Sequence, residues 1–416
     1  MRILHVLHNS LPLICGYSIR SGNIVRLQKQ EGHDLRVVTS AQHPNGSAMR
    51  EEIDGVPHRR TPSYTGPQWP IWREWQLMRR LEREVEAVLA EWRPDVVHAH
   101  SPVLVGFPAL RAARRRGLPL VYEVRDLWEN ALVDRGRFGQ GSSQYQLARR
   151  AESHVLTRAD AVVTICETLR RELRPRCGDP GKVAVVPNGV DAEAFQPREP
   201  SAELRSKHGL GSRRVILYVG TFQPYEGLEL LVRALPHVLA EVPDAQLVIV
   251  GGSASLAYRG GTLQGTQEEV LARVIAELGL GAHVTLTGRV PHEEVASLYS
   301  IADCVVYPRV LTRTTALTTP LKPLEAMAMA RPVVVSDLEP MRELVREGET
   351  GVTFPTGDAR ALAARCVALL RDADARAKLG RAAREYVLAE RRWPVLVRRY
   401  SEVYRAAGGR EPTKFA

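Results

Sequence analysis

Short runs of β-branched and other apolar residues alternate along the chain with longer segments whose apolar positions recur at helical spacing. Positions 3–7, 35–39, 95–100, 118–124, 159–166 and 183–187 predict strands. Between them, 74–92 carries Leu77, Leu81, Val85, Val88 and Trp92 on one helical face and Arg79, Arg80 and Arg83 on another. Alternation of this kind predicts α/β architecture, a parallel sheet covered by helices on both faces.

A polar, proline-rich stretch from 188 to 212, with Gln196-Pro-Arg-Glu-Pro200, interrupts the pattern and reads as a linker. The alternation then restarts. Strands are expected at 214–220, 245–251, 284–288, 304–308, 332–336 and 352–355, and helices near 227–239, 267–278, 321–330 and 359–370. The expectation is two doubly wound, Rossmann-like domains, 1–190 and 191–392, facing a central cleft at the strand C-termini. A last helix, 393–407, is expected to pack back on the first domain.

Composition narrows the function. The 416 residues suit two domains. A net charge of +10 with both signs dispersed describes a basic globular protein with an anionic partner, and charge alone leaves nucleic acid, nucleotide and membrane surface open. Five cysteines without a CxxC support neither a disulfide framework nor a zinc ribbon, so a reducing compartment is expected. The opening residues read as a strand rather than an export signal, and no apolar run approaches the ~18 residues of a membrane span. The expected location is therefore cytoplasmic, with any membrane contact peripheral. Trp69, Trp72 and Trp75 beside Arg73, Arg79 and Arg80 suit a membrane interface or a lipid-linked acceptor, or else packing within the first domain.

Absent motifs exclude several chemistries: there is no GxxxxGK[ST], GxSxG, HExxH or early GxGxxG. Asp372-Ala-Asp374 is a DxD at the end of a surface helix, too short a match to assign a metal. The string from Thr318 to Ala330 is more informative. Pro323 suits a first helical turn, so a helix begins near Lys322 with its free amides available to an anion. Thr318 and Thr319 add hydroxyls, Lys322 a charge, and Glu325 a carboxylate able to accept two ribose hydroxyls. An ordinary capped helix with a solvated lysine is the alternative.

Here the sequence resembles the retaining glycosyltransferases of family 4, with the GT-B fold. The resemblance is carried by Gly32-His33, His98-Ala-His100, Arg158-Ala-Asp-Ala-Val-Val-Thr164, Val186-Pro-Asn-Gly-Val-Asp191, Tyr218-Val-Gly220, Gly288-Arg-Val290, Pro320-Leu-Lys-Pro-Leu-Glu325 and Gly348-Glu-Thr-Gly351, in that order. Gly16-Tyr-Ser-Ile-Arg20, Tyr122-Glu-Val-Arg-Asp-Leu-Trp-Glu129 and Tyr225-Glu-Gly-Leu228 are similar to the bacterial exopolysaccharide and exosortase-associated branch. The resemblance implies a nucleotide-sugar donor, UDP-linked, held by Gly16, Arg289, Val290, Arg309, Thr318, Thr319, Lys322, Leu324 and Glu325. It implies catalytic roles for His100, Asp126 and Lys322, and acceptor-side roles for Tyr17, Arg20, Arg125 and Trp128. No metal or other cofactor and no nucleic acid is implied; the partners are the donor and a saccharide or polyprenyl-linked acceptor. Three positions depart from the family: Leu317 stands where a first Glu is usual, and Thr221 and Glu226 replace two cations of the diphosphate site. Lys322 must then carry more of that charge, helped by Arg309 or Arg313. Alternatives are a nucleotide-sugar epimerase of the same fold, a catalytically silent partner subunit, and an exported sugar-binding protein, which would need a signal that the sequence does not show.

Overall fold

The computed structural model describes residues 1–43, 49–253 and 266–408. The chain divides into two compact units, 1–188 with 393–416 and 189–392. The division falls two residues before the one read from the sequence, because the Val190 amide already bonds Arg391 O, 2.9 Å away, within the second unit.

The first unit holds β1 (Arg2–Leu7), β2 (Asp34–Thr39), β3 (Arg50–Ile53), β4 (Val56–Arg60), β5 (Val96–His100), β6 (Leu120–Val124), β7 (Ala161–Thr164) and β8 (Val183–Val185). They form one sheet in the order β3-β4-β2-β1-β5-β6-β7-β8, parallel except for the β3–β4 pair. That hairpin is absent from the sequence reading. Its strands, REEI and VPHRR, are too charged to show an apolar run, and its signal is the turn Asp54-Gly55, both at positive φ (51° and 72°), as a type I′ turn requires. The last helix expected is instead two, Trp393–Val397 and Arg399–Ala406, which group with the first unit.

The second unit is a six-stranded, all-parallel sheet of β9 (Arg214–Phe222), β10 (Ala245–Ser253), β11 (Val284–Gly288), β12 (Cys304–Tyr307), β13 (Val333–Ser336) and β14 (Val352–Phe354). The order is β11-β10-β9-β12-β13-β14, so the winding reverses between β9 and β12. In the first unit it reverses between β1 and β5. At such a point the loops leaving two neighbouring strands part to opposite faces and open a crevice at the C-terminal edge, the expected ligand position. The helix containing Lys322 is shorter than expected, Lys322–Ala328, barely two turns. Asp372 caps the helix Ala373–Glu390 by accepting from the Ala375 amide at 2.8 Å, so one carboxylate of the DxD string has a structural role.

Candidate active site

In the second unit, the loops after β9 and β12 meet at the reversal. Gly227, at φ 72°, makes this possible: a Cβ there would lie 1.9 Å from Pro308 O. The Val310 amide then donates to Tyr225 O at 2.9 Å, and Glu226 lies 3.4 Å from Arg309 Nε. Arg309 is nearly buried; its Nη1 donates to Thr318 O at 3.0 Å and its guanidinium lies 5.5 Å from the Tyr225 ring centroid. Burial pushes the Glu226 carboxyl up, and Arg309 and Lys322 offset part of that rise.

Lys322 opens the short helix and remains 29% exposed, with Nζ 3.7 Å from Glu325 Oε2. Two buried phenols fix this turn. Tyr307 donates to Lys322 O at 3.0 Å, Tyr299 donates to Glu325 Oε2 at 3.2 Å, and their oxygens are 3.0 Å apart. Burial raises both phenol pKa values far above the ordinary one, so both remain donors. Among the described residues, Arg309 Nε is buried without a hydrogen-bond partner, 3.4 Å from Glu226 Oε1.

In the first unit, the reversal brings β1 and β5 side by side with His5 opposite His98, and β5 and β6 with His100 opposite Glu123. All four side chains are buried. His5 Nδ1 lies 3.1 Å from His100 Nε2, His5 Nε2 meets Gln28 Oε1 at 2.9 Å, and His98 Nδ1 meets the Tyr404 hydroxyl at 2.9 Å. Arg20 Nε donates to Glu123 at 3.0 Å and Arg125 Nε at 2.7 Å. Burial alone would raise the Glu123 pKa, yet the two guanidinium groups and His100 hold it well below its ordinary value. Burial and neighbouring charge draw His5 and His100 well below theirs, so both are neutral. One nitrogen from each of the three histidines lies within 4.8 Å of the other two. A divalent cation among them would add its charge to two buried arginines against one carboxylate, so the set fits a hydrogen-bonded cluster better than a metal centre.

Residues 200–386 match the family model described as Glycosyl transferases group 1, and residues 16–189 the Glycosyl transferase 4-like domain. A D-inositol 3-phosphate glycosyltransferase of Thermobispora bispora is 32% identical over 329 residues, 77% of this chain and 73% of that one. The chain belongs to this glycosyltransferase family. A GDP-mannose-dependent alpha-(1-6)-phosphatidylinositol monomannoside mannosyltransferase of Mycolicibacterium smegmatis is 30% identical over 267 residues, 63% of this chain and 66% of that relative. In fold, the glycosyltransferase resembles a sucrose-phosphate synthase of Thermosynechococcus elongatus with TM-score 0.78 at 23% identity, covering 97% of this chain and 98% of that one. Its two Rossmann-like units are those of the GT-B fold.

The structure of the glycosyltransferase brings Arg309 to Thr318 and Lys322 to Glu325, with several roles altered. The Thr318 hydroxyl donates to Thr314 O at 2.8 Å, so its proton is committed internally. Leu324 is core, and its amide bonds Leu321 O at 3.1 Å. Arg309 is not a free helper of Lys322, since Glu226 stands beside it. Thr319 is buried, Arg313 half-buried and Val290 packed against the core. Arg289 is exposed and donates to Ser253 O.

Correction is larger in the first unit. Arg20 is 1% exposed, and its guanidinium is spent on Glu123, Val186 O, Pro187 O, Asn188 and Tyr400. Arg125 is likewise engaged by Glu123, Tyr17 O, Ser21 and His100. Both are frame rather than acceptor-side groups. His100 is 1% exposed, with one nitrogen against His5 and the other 2.6 Å from Arg125, so neither is left for a sugar. Asp126 differs: burial raises its pKa, Tyr17 bonds it, and its Oδ1 is buried without a hydrogen-bond partner. Gly16 is exposed at the start of the helix Gly16–Gln30, and Trp128 is half-buried at the start of Trp128–Asp134. The residues that sequence reasoning left unassigned are His5, Glu123, Tyr299 and Tyr307. Strand register would have exposed the first two, because a parallel β1–β5–β6 sheet stacks them with His98 and His100 on one face.

Proposed function

We propose that the chain transfers a sugar, with retention, from a nucleoside diphosphate donor, UDP-linked, to a hydroxyl of a saccharide or lipid-linked saccharide in bacterial glycan or exopolysaccharide synthesis. The observation that carries this reading is the pairing of the Lys322 ammonium with Glu325, and of Arg309 with Glu226, at the strand reversal of the second unit. Glu325 Oε1 accepts from ribose hydroxyls while Tyr299 fixes its other oxygen. As the bond from the anomeric carbon to the phosphate oxygen breaks, negative charge grows on the diphosphate. Lys322, already placed, stabilises it without a metal, and Arg309 joins it as the diphosphate competes with Glu226. The acceptor hydroxyl attacks the same face of the sugar, and its proton passes to an oxygen of the departing phosphate. The lipid in the printed name of the M. smegmatis relative supports a lipid-linked acceptor.

The test is a thermal-shift series with UDP, GDP, ADP and the corresponding nucleosides. A diphosphate at 100 times its Kd adds about 2.7 kcal/mol to the unit that binds it, whereas the matching nucleoside adds much less. Equal shifts from nucleoside and diphosphate would overturn the assignment. Sugar transfer that needs an added acceptor separates this reading from epimerisation.

A further inference from the structure

The helix Trp72–Glu91 buries Leu77, Leu81, Val85 and Val88 in the first unit but leaves its first turn uncovered. Trp69 is 69% exposed, Ile71 58%, Trp72 44% and Trp75 38%. These are large apolar groups in one continuous stretch, where scattered exposure would need no explanation. Ile71 has φ 69°, a left-handed conformation rare for a β-branched residue, and its side chain gains no burial from it. The Trp72 and Trp75 rings are 4.9 Å apart, and Arg79 lies 4.8 Å from the Trp75 ring centroid.

Charge along the same helix is sorted. Each of its acids is paired: Glu74 with Arg73, Glu82 and Glu86 with Arg115, Glu84 and Glu91 with Arg59. Among the described residues, Arg79, Arg80 and Arg83 have no carboxylate partner; Arg80 reaches only Ser63 O and the Tyr64 ring. Positions 72, 75, 79 and 83, at steps of three and four, lie along one stripe of the helix, aromatic at its start and cationic behind. Among the described residues no helix is long and apolar enough to cross a membrane.

We propose that this stripe is a docking surface for an anionic lipid bilayer, with the tryptophans and Ile71 entering the headgroup and upper acyl region and Arg79 and Arg83 meeting lipid phosphates. Indole is amphipathic and settles at that depth, and arginine forms bidentate bonds with phosphate. A second copy of the chain would set unpaired arginines against their like, and a neutral glycan would stack on the rings while leaving the arginines unused. The surface is independent of the donor assignment, and its test needs no donor.

The full-length chain is floated with phosphatidylcholine vesicles, with and without phosphatidylglycerol, at low and physiological salt. Binding is expected only to the anionic vesicles, weakening with salt, with a blue-shifted tryptophan emission. Each basic residue near such a surface is worth about fivefold at low salt, so R79E/R83E should weaken binding by well over about tenfold. W69A/W72A/W75A should abolish the spectral shift. Both variants alter exposed side chains, and unchanged unfolding of the first unit checks that they fold. Equal partition into both vesicle types, no binding at low salt, or wild-type binding by the tryptophan variant would overturn the proposal, as would self-association abolished by that variant.

Discussion

Both units carry a cluster of charged and polar side chains where their sheets reverse direction, but one cluster is sealed and the other open. In the first unit, Glu123 sits under two guanidinium groups, His98, His100 and the Tyr400 hydroxyl, and its own exposure is nil. In the second, Lys322 is 29% exposed, and Arg309 Nε has no hydrogen-bond partner among the described residues. The same topology therefore does two jobs. Where arginines from a helix and a strand end, and tyrosines from the returning C-terminal helix, fill the crevice, the cluster becomes a polar keystone. Where only a short helix and two loops border it, ligand groups must complete the set.

The largest expected effect follows from the sealed cluster. His5, His98 and His100, with His8, which burial lowers to about 4, are all held below their ordinary pKa. A histidine with a lowered native pKa binds fewer protons folded than unfolded, so its stability contribution is present above about pH 6.5 and is lost as pH falls. Each such group removes at most about 1.4 kcal/mol per pH unit. Glu152, pushed up to about 8 by burial and by Glu129, acts in the opposite direction. The lowered histidines outnumber it, so the first unit should lose stability as pH falls from 6.5 to 5.5. All six tryptophans, Trp69, Trp72, Trp75, Trp92, Trp128 and Trp393, lie in that unit. Urea titrations followed by tryptophan emission at the two pH values therefore read it alone. A midpoint that does not move would mean that the histidines are solvated and the cluster is open after all.

How much of this was legible in the sequence differs between the two clusters for the same reason. The alternation of strands and helices showed nearly every element, because buried parallel strands must be continuous apolar runs. The β3–β4 hairpin escaped because an edge strand can be charged. Lys322 and Glu325 were legible because they lie three residues apart on one helix. Glu123 and His5 were not, since their meaning lies in partners 103 and 95 residues distant along the chain. For the same reason Arg20 and Arg125 were read as ligands when they are struts: a cation's sequence neighbours do not reveal whether a buried carboxylate has claimed it. Glu226 was seen only as a missing cation.

The open cluster is broken next. Lys322→Ala should raise the barrier to donor cleavage by about 2–4 kcal/mol, the scale of losing one preorganised electrostatic group. Its side chain reaches solvent, so the urea midpoint of the first unit should stay in place. Initial rates of nucleoside diphosphate release check this, and a wild-type rate would remove Lys322 from the leaving-group site.

The smallest effect sharpens the comparison most. If the second cluster is completed by ligand, then Glu226 holds Arg309 only until a diphosphate competes for it. Its carboxylate, 3.4 Å from Arg309 Nε and about one-sixth exposed, opposes an incoming dianion whenever it is ionised. Glu226→Gln should therefore tighten nucleoside diphosphate binding, by about 1 kcal/mol given screening at this partly solvated position. Burial raises the native Glu226 pKa, so the wild-type side chain takes up its proton at a higher pH than an exposed glutamate. Below that pH, wild type and variant should bind alike; above it, wild-type affinity should fall while the variant stays level. Calorimetric titration of UDP across the acid-to-neutral range follows both. Weaker binding by the variant at every pH would show that Glu226 orients Arg309 for the phosphate, and the second cluster would then resemble the first, a fixed frame built before the ligand arrives.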